Sequence, residues 1–330
     1  MMPDLPNSYF PNPICRFPIS RFIGCDVGKA ALVFFALGET ATKTIPNTKA
    51  AISGFVSTLD ANCLVVCEAT GGHEALLLSC LNVANIPAHR ADARKVKAFI
   101  RSYGVLGKTD DIDARQLALY ASERHTQLAL WQEPNRNVQD LQSLILTRQD
   151  LVADQVAWNN RLKAPGATAA APRIKAMLTA IKTQIEAIER DIAATIKANQ
   201  NLTQTLDTLS TIKGIGATTA ATLLALMPEL GTMDRRQAAA LAGLAPHPKQ
   251  SGATNAYRRT KGGRPNVKKA IFMAAMSASK HNPQLKQTYQ RLINAGKKPI
   301  VAITAIMRKL IVIANAKIRD LIKTNQIHLS

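Results

Sequence analysis

Residues 22–37 run Phe-Ile-Gly-Cys-Asp-Val-Gly, then Lys29, then an unbroken apolar stretch from Ala30 to Leu37. Two strand-length segments about a glycine-bearing turn predict a β-hairpin. Leu64-Val65-Val66-Cys67-Glu68 reads as a short buried strand ending on a carboxylate. Thr70-Gly71-Gly72 and a helical stretch to Leu81 follow, with further helical stretches around 95–103 and 110–122. Strands alternating with helices predict an α/β domain over 21–128, after a Pro-rich extension at 1–20. Pro134 and its polar neighbours suit a linker.

The clearest periodicity comes next. Ile174, Leu178, Ile181, Ile185, Ile188 and Ile192 step by alternating fours and threes, a heptad seam. A looser stripe, Val138, Leu141, Ile145, Val152 and Val156, precedes it, and Ala164-Pro165-Gly166 and Pro172 separate the two. The pattern predicts two long helices over 129–200, as an antiparallel hairpin or a dimerisation arm. From Leu202 onward the chain reads all-helical and alanine-rich. Within it, residues 209–220 resemble a helix-hairpin-helix, where Gly214 and Gly216 would let backbone N–H groups approach a phosphate beside Lys213.

Charge divides the chain sharply. Residues 1–150 carry 15 basic and 14 acidic side chains, and residues 151–330 carry 27 and 8. Between Asp234 and Asp320 there is no carboxylate and there are 18 Lys and Arg. Eighty-five residues without an acid, in a segment that otherwise looks folded, point to a nucleic-acid surface. Its expected contacts are Lys213, Gly214, Gly216, Tyr257, Arg258, Arg259, Lys261, Arg264, Lys268 and Lys269. No apolar run reaches the ~20 residues of a membrane span, and residues 1–20 hold five prolines and no secretion signal. Five cysteines without zinc spacing read as reduced thiols, with Cys63 and Cys67 as buried small hydrophobes. These features predict a cytoplasmic, nucleoid-associated protein.

Acids stand at the ends of the predicted α/β elements: Asp26, Glu68, and Asp110 with Asp113 three residues apart on one helical face. Carboxylates gathered from separate elements repel one another and make sense around divalent cations. Two Mg²⁺ ions so held can activate an attacking oxygen and stabilise a leaving one. Each acid alone reads as a cap or a surface charge, Asp110 and Asp111 above all. Ser251 lies in a turn-rich loop entering the basic stretch and, from the residues alone, reads as an ordinary loop serine. Tyr257, between Arg258 and Arg259, is a phosphate contact or a minor candidate nucleophile.

The set GCDVGK, CEATGG and KTDDIDA, followed far downstream by LSTIKGIG, LAGLAP and QSG, closely resembles the DEDD transposases of bacterial insertion sequences. That group includes the Piv-type DNA invertases and the bridge-RNA-guided recombinases. The resemblance spans residues 22–295. It implies an RNase H-like, RuvC-type N-terminal domain, a coiled-coil arm, and a mainly α C-terminal transposase domain over 201–330. It assigns Asp26, Glu68, Asp110 and Asp113 as the catalytic, Mg²⁺-binding acids, and Asp111 falls at a position the family leaves variable. It makes Ser251 the nucleophile, linked to DNA as a phosphoserine, with acids and serine drawn from different subunits of a dimer or tetramer. It also implies a guide RNA that pairs with donor and target DNA. His73 stands where the family often has an aromatic residue. Rival readings are a Piv-type invertase, a plain metal-dependent nuclease or resolvase, a silent nucleic-acid scaffold, and an actin-like phosphotransferase.

Overall fold

The structure is a computed structural model. It describes residues 18–327 apart from 105, 106, 108, 134, 252 and 253; the side chains of 248–251, 254–258, 326 and 327 also lie outside the described set. Cys15 and most of the Pro-rich extension fall outside it as well. The chain divides after Glu133 into two compact units.

The first unit is built on one five-stranded sheet. β1 (Arg21–Val27) pairs antiparallel with β2 (Ala31–Ala36), which pairs antiparallel with β3 (Lys43–Pro46). After α1 (Lys49–Val56), β4 (Cys63–Glu68) returns parallel to β1. After α2 (Ala75–Val83), β5 (Ala88–Ala91) lies parallel to β4, giving the order β3-β2-β1-β4-β5. α3 (Ala93–Ser102) and α4 (Asp110–Arg124) complete the unit.

Alternation along the strands sorts the side chains into two buried layers. Ile23, Cys25, Val27, Phe34, Val65 and Cys67 pack with α1 and α2 through Ile52, Phe55, Leu77 and Leu81. On the other face Val33 and Phe35 meet Ala114 and Ala118 of α4, while Leu64 and Val66 meet Leu117, Val96 and Phe99. The sheet is buried on both sides, which is why its strands read as apolar runs rather than as alternation. Cys25, Cys63 and Cys67 are free, buried thiols within this packing. The outer edge of β5 is closed by the segment after α4, where Trp131 N–H donates to the Ala88 carbonyl at 2.7 Å.

The second unit opens with α5 (Arg136–Leu162) and α6 (Ala171–Lys197), two 27-residue helices packed on each other as a hairpin. Ile174 and Ile192 of the heptad seam are buried, and the four residues between them are half-buried. Arg148 and Glu189 join the helices at 2.6 Å. α7 (Gln200–Ser210), α8 (Ala217–Leu226) and α9 (Arg235–Leu241) follow. Then come β6 (Pro246–Ser251), β7 (Thr254–Thr260), α10 (Pro265–His281), α11 (Pro283–Asn294) and α12 (Pro299–Ile327). α12 is long and apolar enough to cross a membrane by length and composition, but Ile303, Ile306, Met307 and Leu310 are buried in this unit's core.

One element departs from the all-helical expectation. β6 and β7 form an antiparallel ribbon, so Ser251 ends a strand rather than sitting in a loop. β6 reads Pro-His-Pro-Lys-Gln-Ser, with no apolar alternation to announce it. Pro248 has no N–H to give, and the ladder is irregular between His247 and Lys249.

Candidate active site

Asp26 stands on β1 two residues beyond Gly24, hence on the sheet face that α4 covers. Gly24 allows that helix to come close. A Cβ at this position would lie 2.0 Å from the Ala114 carbonyl oxygen and 2.4 Å from the Ala118 nitrogen. With Ala114 and Ala118 seated over Gly24, the first turn of α4 arrives beside Asp26. That turn carries Asp110, Asp111 and Asp113.

Asp110 and Asp111 read from sequence as helix caps. The cap is instead Thr109, whose Oγ1 accepts from the Ile112 N–H at 3.2 Å. Such a cap contributes about 1 kcal/mol and leaves the carboxylates available for other work. Asp111 accepts a hydrogen bond from Thr42 Oγ1 at 2.9 Å, which ties the helix to the loop between β2 and β3. Glu68 ends β4, and the register Cys25↔Cys67 sets it beside Asp26 on the neighbouring parallel strand.

The electrostatics report how near these groups are. Asp26 is pushed up to about 6, first by burial, then by the charges of Asp110 and Asp113, and further by Glu68; the Val27 N–H opposes the rise. Four carboxyl groups from three elements therefore share one field. Among the described residues no three potential ligands already converge at coordination distance. The donor set is all carboxylate, hard oxygen chemistry that fits Mg²⁺ or Mn²⁺, and the repulsion raising Asp26 is what a cation there would relieve. An open pocket of about 620 Å³ adjoins the acids, lined by Asp26, Thr44, Thr109 and Asp110 among others.

Sequence reading missed the residues that hold the loops carrying these acids. Glu74 is 2% exposed and accepts from the Thr70 N–H and hydroxyl, the Gly72 N–H and Arg90 Nε. Burial alone would raise its carboxyl; the backbone donors and the Arg90 guanidinium outweigh that and hold it below the usual range. This buried charge fixes the turn that follows Glu68, where Gly71 and Gly72 take φ of +74° and +109°. Asn47 Nδ2 donates to the carbonyls of Gly28 at 3.0 Å and His73 at 3.2 Å, joining the loop after Asp26 to the loop after Glu68. A carboxylate two residues past a Gly-Gly pair was the one signal in the sequence for Glu74.

The basic residues of the second unit divide into two groups. Lys213, Arg259, Lys261 and Lys269 are exposed. Arg264 is engaged internally: it holds Glu229 through two bonds of 2.7 and 2.5 Å and donates to the Leu226 carbonyl at 2.6 Å. Lys268 donates to Thr260 Oγ1 at 2.9 Å. Gly216 is the exposed N-cap of α8. Gly214, at φ +110°, lies so near α10 that a Cβ would stand 2.5 Å from that of Ala278, so helix packing already accounts for this glycine. The side chains of Ser251, Tyr257 and Arg258 lie outside the described residues.

Two family models match the chain in succession, together covering more than two thirds of it. A DEDD transposase model of the IS110 type matches residues 23–165, and the model described as transposase IS116/IS110/IS902 family matches residues 206–290. Among curated proteins, the pilin gene-inverting proteins of Moraxella lacunata and Moraxella bovis are each 28% identical over 233 residues, covering 68% of this chain and 70% of theirs. An uncharacterized 43.6 kDa protein of insertion element IS110 from Streptomyces coelicolor is 31% identical over 152 residues, 45% of this chain and 36% of that one. An acid-bearing α/β unit lies under the first model and a basic, mainly helical unit under the second, and the chain belongs to the IS110 family of DEDD transposases, DNA recombinases of insertion sequences.

Proposed function

We propose that the first unit is an RNase H-like catalytic domain of the RuvC type, in which Asp26, Glu68, Asp110 and Asp113 hold Mg²⁺. The observation that carries this reading is the rise of Asp26 to about 6, by burial first and then by the charges of Asp110, Asp113 and Glu68, on elements that the fold brings beside it. The strand order β3-β2-β1-β4-β5, with an antiparallel hairpin followed by parallel strands, supports the fold assignment. A bound divalent cation would supply Lewis-acid stabilisation of the phosphoryl oxygens under attack. Asp26, Glu68 and Asp110 offer it carboxylate oxygens, Thr109 keeps Asp110 out of the helix cap, and Asp111 is engaged by Thr42.

In the same reading Ser251 is the nucleophile. Its Oγ forms a bond to phosphorus as the bond from phosphorus to one sugar oxygen breaks, leaving DNA joined to the protein as a phosphoserine. The serine's proton is lost as the departing sugar oxygen gains one; attack on the phosphorus by the hydroxyl of a different DNA end then breaks the bond to Oγ, restores the serine and joins the exchanged strands. Exposed Lys213, Arg259, Lys261 and Lys269 hold the phosphate backbone, and the same cations accept a guide RNA. The α5–α6 hairpin is the coiled-coil arm through which copies of the chain associate.

The test is an adduct trap. Cells carrying the gene with its flanking DNA are lysed under denaturing conditions and protein-linked DNA is sequenced, while RNA copurifying with the protein is sequenced from a parallel native preparation. An adduct in wild type, lost in both Ser251→Ala and Asp26→Ala, is expected. Cleaved ends without attached protein would replace this reading with a plain nuclease. An adduct restored by mixing the two mutants would place acids and serine in different copies. The likeness to the pilin gene-inverting proteins favours a second reading, inversion of a DNA segment in place. Junction sequences distinguish the two, since inversion leaves both segment ends at the original locus.

A further inference from the structure

The first unit is nearly neutral overall, yet one short stretch of it is strongly basic. From Arg90 to Arg101 there are five Lys and Arg against Asp92 alone. On α3, Val96 and Phe99 are buried against the sheet, while Arg94, Lys95, Lys97 and Arg101 are exposed. The helix is thus anchored by its apolar residues and presents a row of cations to solvent.

A pocket of about 590 Å³ opens beside this row, and none of the four catalytic acids lines it. Its buried walls include Phe99, Tyr120 and Leu128, each under 10% exposed, with the two rings edge to face at 5.2 Å. Lys95 and Arg124 line the same pocket and are exposed. Arg90 is held by Glu74 and Asp92 by Arg94, whereas Lys95 and Arg124 have no ion-pair partner among the described residues. His89 also lines the pocket; its Nδ1–H donates to the Ala129 carbonyl at 2.7 Å, and burial holds its pKa down, so the ring is neutral with Nε2 as an acceptor. An aromatic interior with two cations outside any ion pair fits a ligand that is flat and apolar at one end and anionic at the other.

We propose that this pocket takes one unpaired nucleotide of a DNA strand, the base entering against Phe99, Tyr120 and Leu128 and its phosphate meeting Lys95 and Arg124. The inference rests on the reading of the chain as a DNA recombinase and adds a second contact within the catalytic unit. The row along α3 argues for a strand rather than a free nucleotide, because Arg94, Lys97 and Arg101 continue the positive track beyond the pocket. Base pairing keeps a duplex base out of such a pocket, so the site selects DNA that is open, gapped or cut.

Binding of the full-length protein to a gapped duplex with 2-aminopurine as its unpaired base, to the intact duplex, and to the same gapped probe with ribonucleotides in the gap tests this. Wild type should bind the gapped DNA more tightly than the intact duplex and change the 2-aminopurine emission. Ala98→Trp plugs the pocket from an exposed position on α3; it should remove the emission change and at least about fivefold of the gapped-DNA affinity, leaving intact-duplex affinity unchanged. Lys95→Gln with Arg124→Gln, both at exposed positions, should reduce the emission change and lower gapped-DNA affinity more than intact-duplex affinity, and matching thermal melts confirm that the variants fold. Equal losses on gapped and intact probes, or an unchanged emission signal in the variants, would overturn the proposal, as would a preference for the ribonucleotide gap. Wild type that binds no DNA at all would instead sink the recombinase reading itself, taking the pocket with it.

Discussion

Replacing Asp26 with asparagine should make the metal-free protein more stable near neutral pH while abolishing its chemistry. The carboxyl titrates near 6 in the fold against 3.8 ordinarily. The folded state therefore binds more protons than the unfolded chain between those values, and stability must fall as pH rises from about 4 through about 6. The gap corresponds to about 3 kcal/mol, and solvent screening of a half-buried group reduces that to about 1–2 kcal/mol. The amide side chain would keep the shape and an acceptor for the Val27 N–H but carry no charge for Asp110, Asp113 and Glu68 to repel. Urea unfolding in EDTA should show wild type losing this stability between acidic and neutral pH and Asp26→Asn holding level. Adding Mg²⁺ should stabilise wild type at neutral pH and the variant less, since a ligand that binds only the folded state adds to its stability. A variant no more stable than wild type at neutral pH, with the same pH slope, would refute the claim that the four acids share one field.

Other substitutions probe the supports and the basic surface. Gly24→Ala must push α4 off β1 by about an ångström or more; a loss of about 1–3 kcal/mol or greater is expected on urea unfolding, together with loss of DNA cleavage. Gly54→Ala, where an added Cβ meets nothing within 4 Å, is the control and should gain about 0.5–1 kcal/mol. Glu74→Gln leaves the half-exposed Arg90 without its charged partner and weakens the hydrogen bonds of the turn after Glu68; a loss of about 1–3 kcal/mol, read as a lower melting temperature, is expected. Lys261→Ala and Lys269→Ala should each reduce the salt dependence of DNA binding by about one phosphate contact, whereas Arg264→Ala should lower the melting temperature with little change in that slope.

The α/β half was legible because a sheet buried on both faces writes its strands as apolar runs, and because Asp110 and Asp113 keep their three-residue spacing on α4. What escaped was whatever depends on distant partners. Gly24 reads as one more residue of a strand until Ala114 and Ala118 are known to sit on it, and nothing near residue 24 says so. Glu74 and Arg90 are 16 residues apart and Asn47 reaches residues 28 and 73, so no local period marks them. In the basic half, the run Arg258–Lys269 looked uniform, but Arg264 finds Glu229 35 residues earlier and turns inward. The β6–β7 ribbon was invisible because strands rich in Pro, Lys and Gln carry no hydrophobic alternation.

The supports of the acid cluster share a property that the proposed metal site requires. A group of carboxylates awaiting a cation raises the free energy of the fold around it, so whatever holds them must not answer their charge. A lysine or arginine placed among them would relieve the repulsion and also compete with a metal for the same oxygens. Gly24 acts by having no side chain, Thr109 by a neutral hydroxyl and Asn47 by a neutral amide. The charged pair in the group, Glu74 with Arg90, is closed on itself at 2.6 Å and braces the turn after Glu68 through backbone hydrogen bonds. The repulsion is consequently left in place at Asp26, where it adds to burial in raising the carboxyl to about 6 and remains available to favour a divalent ion.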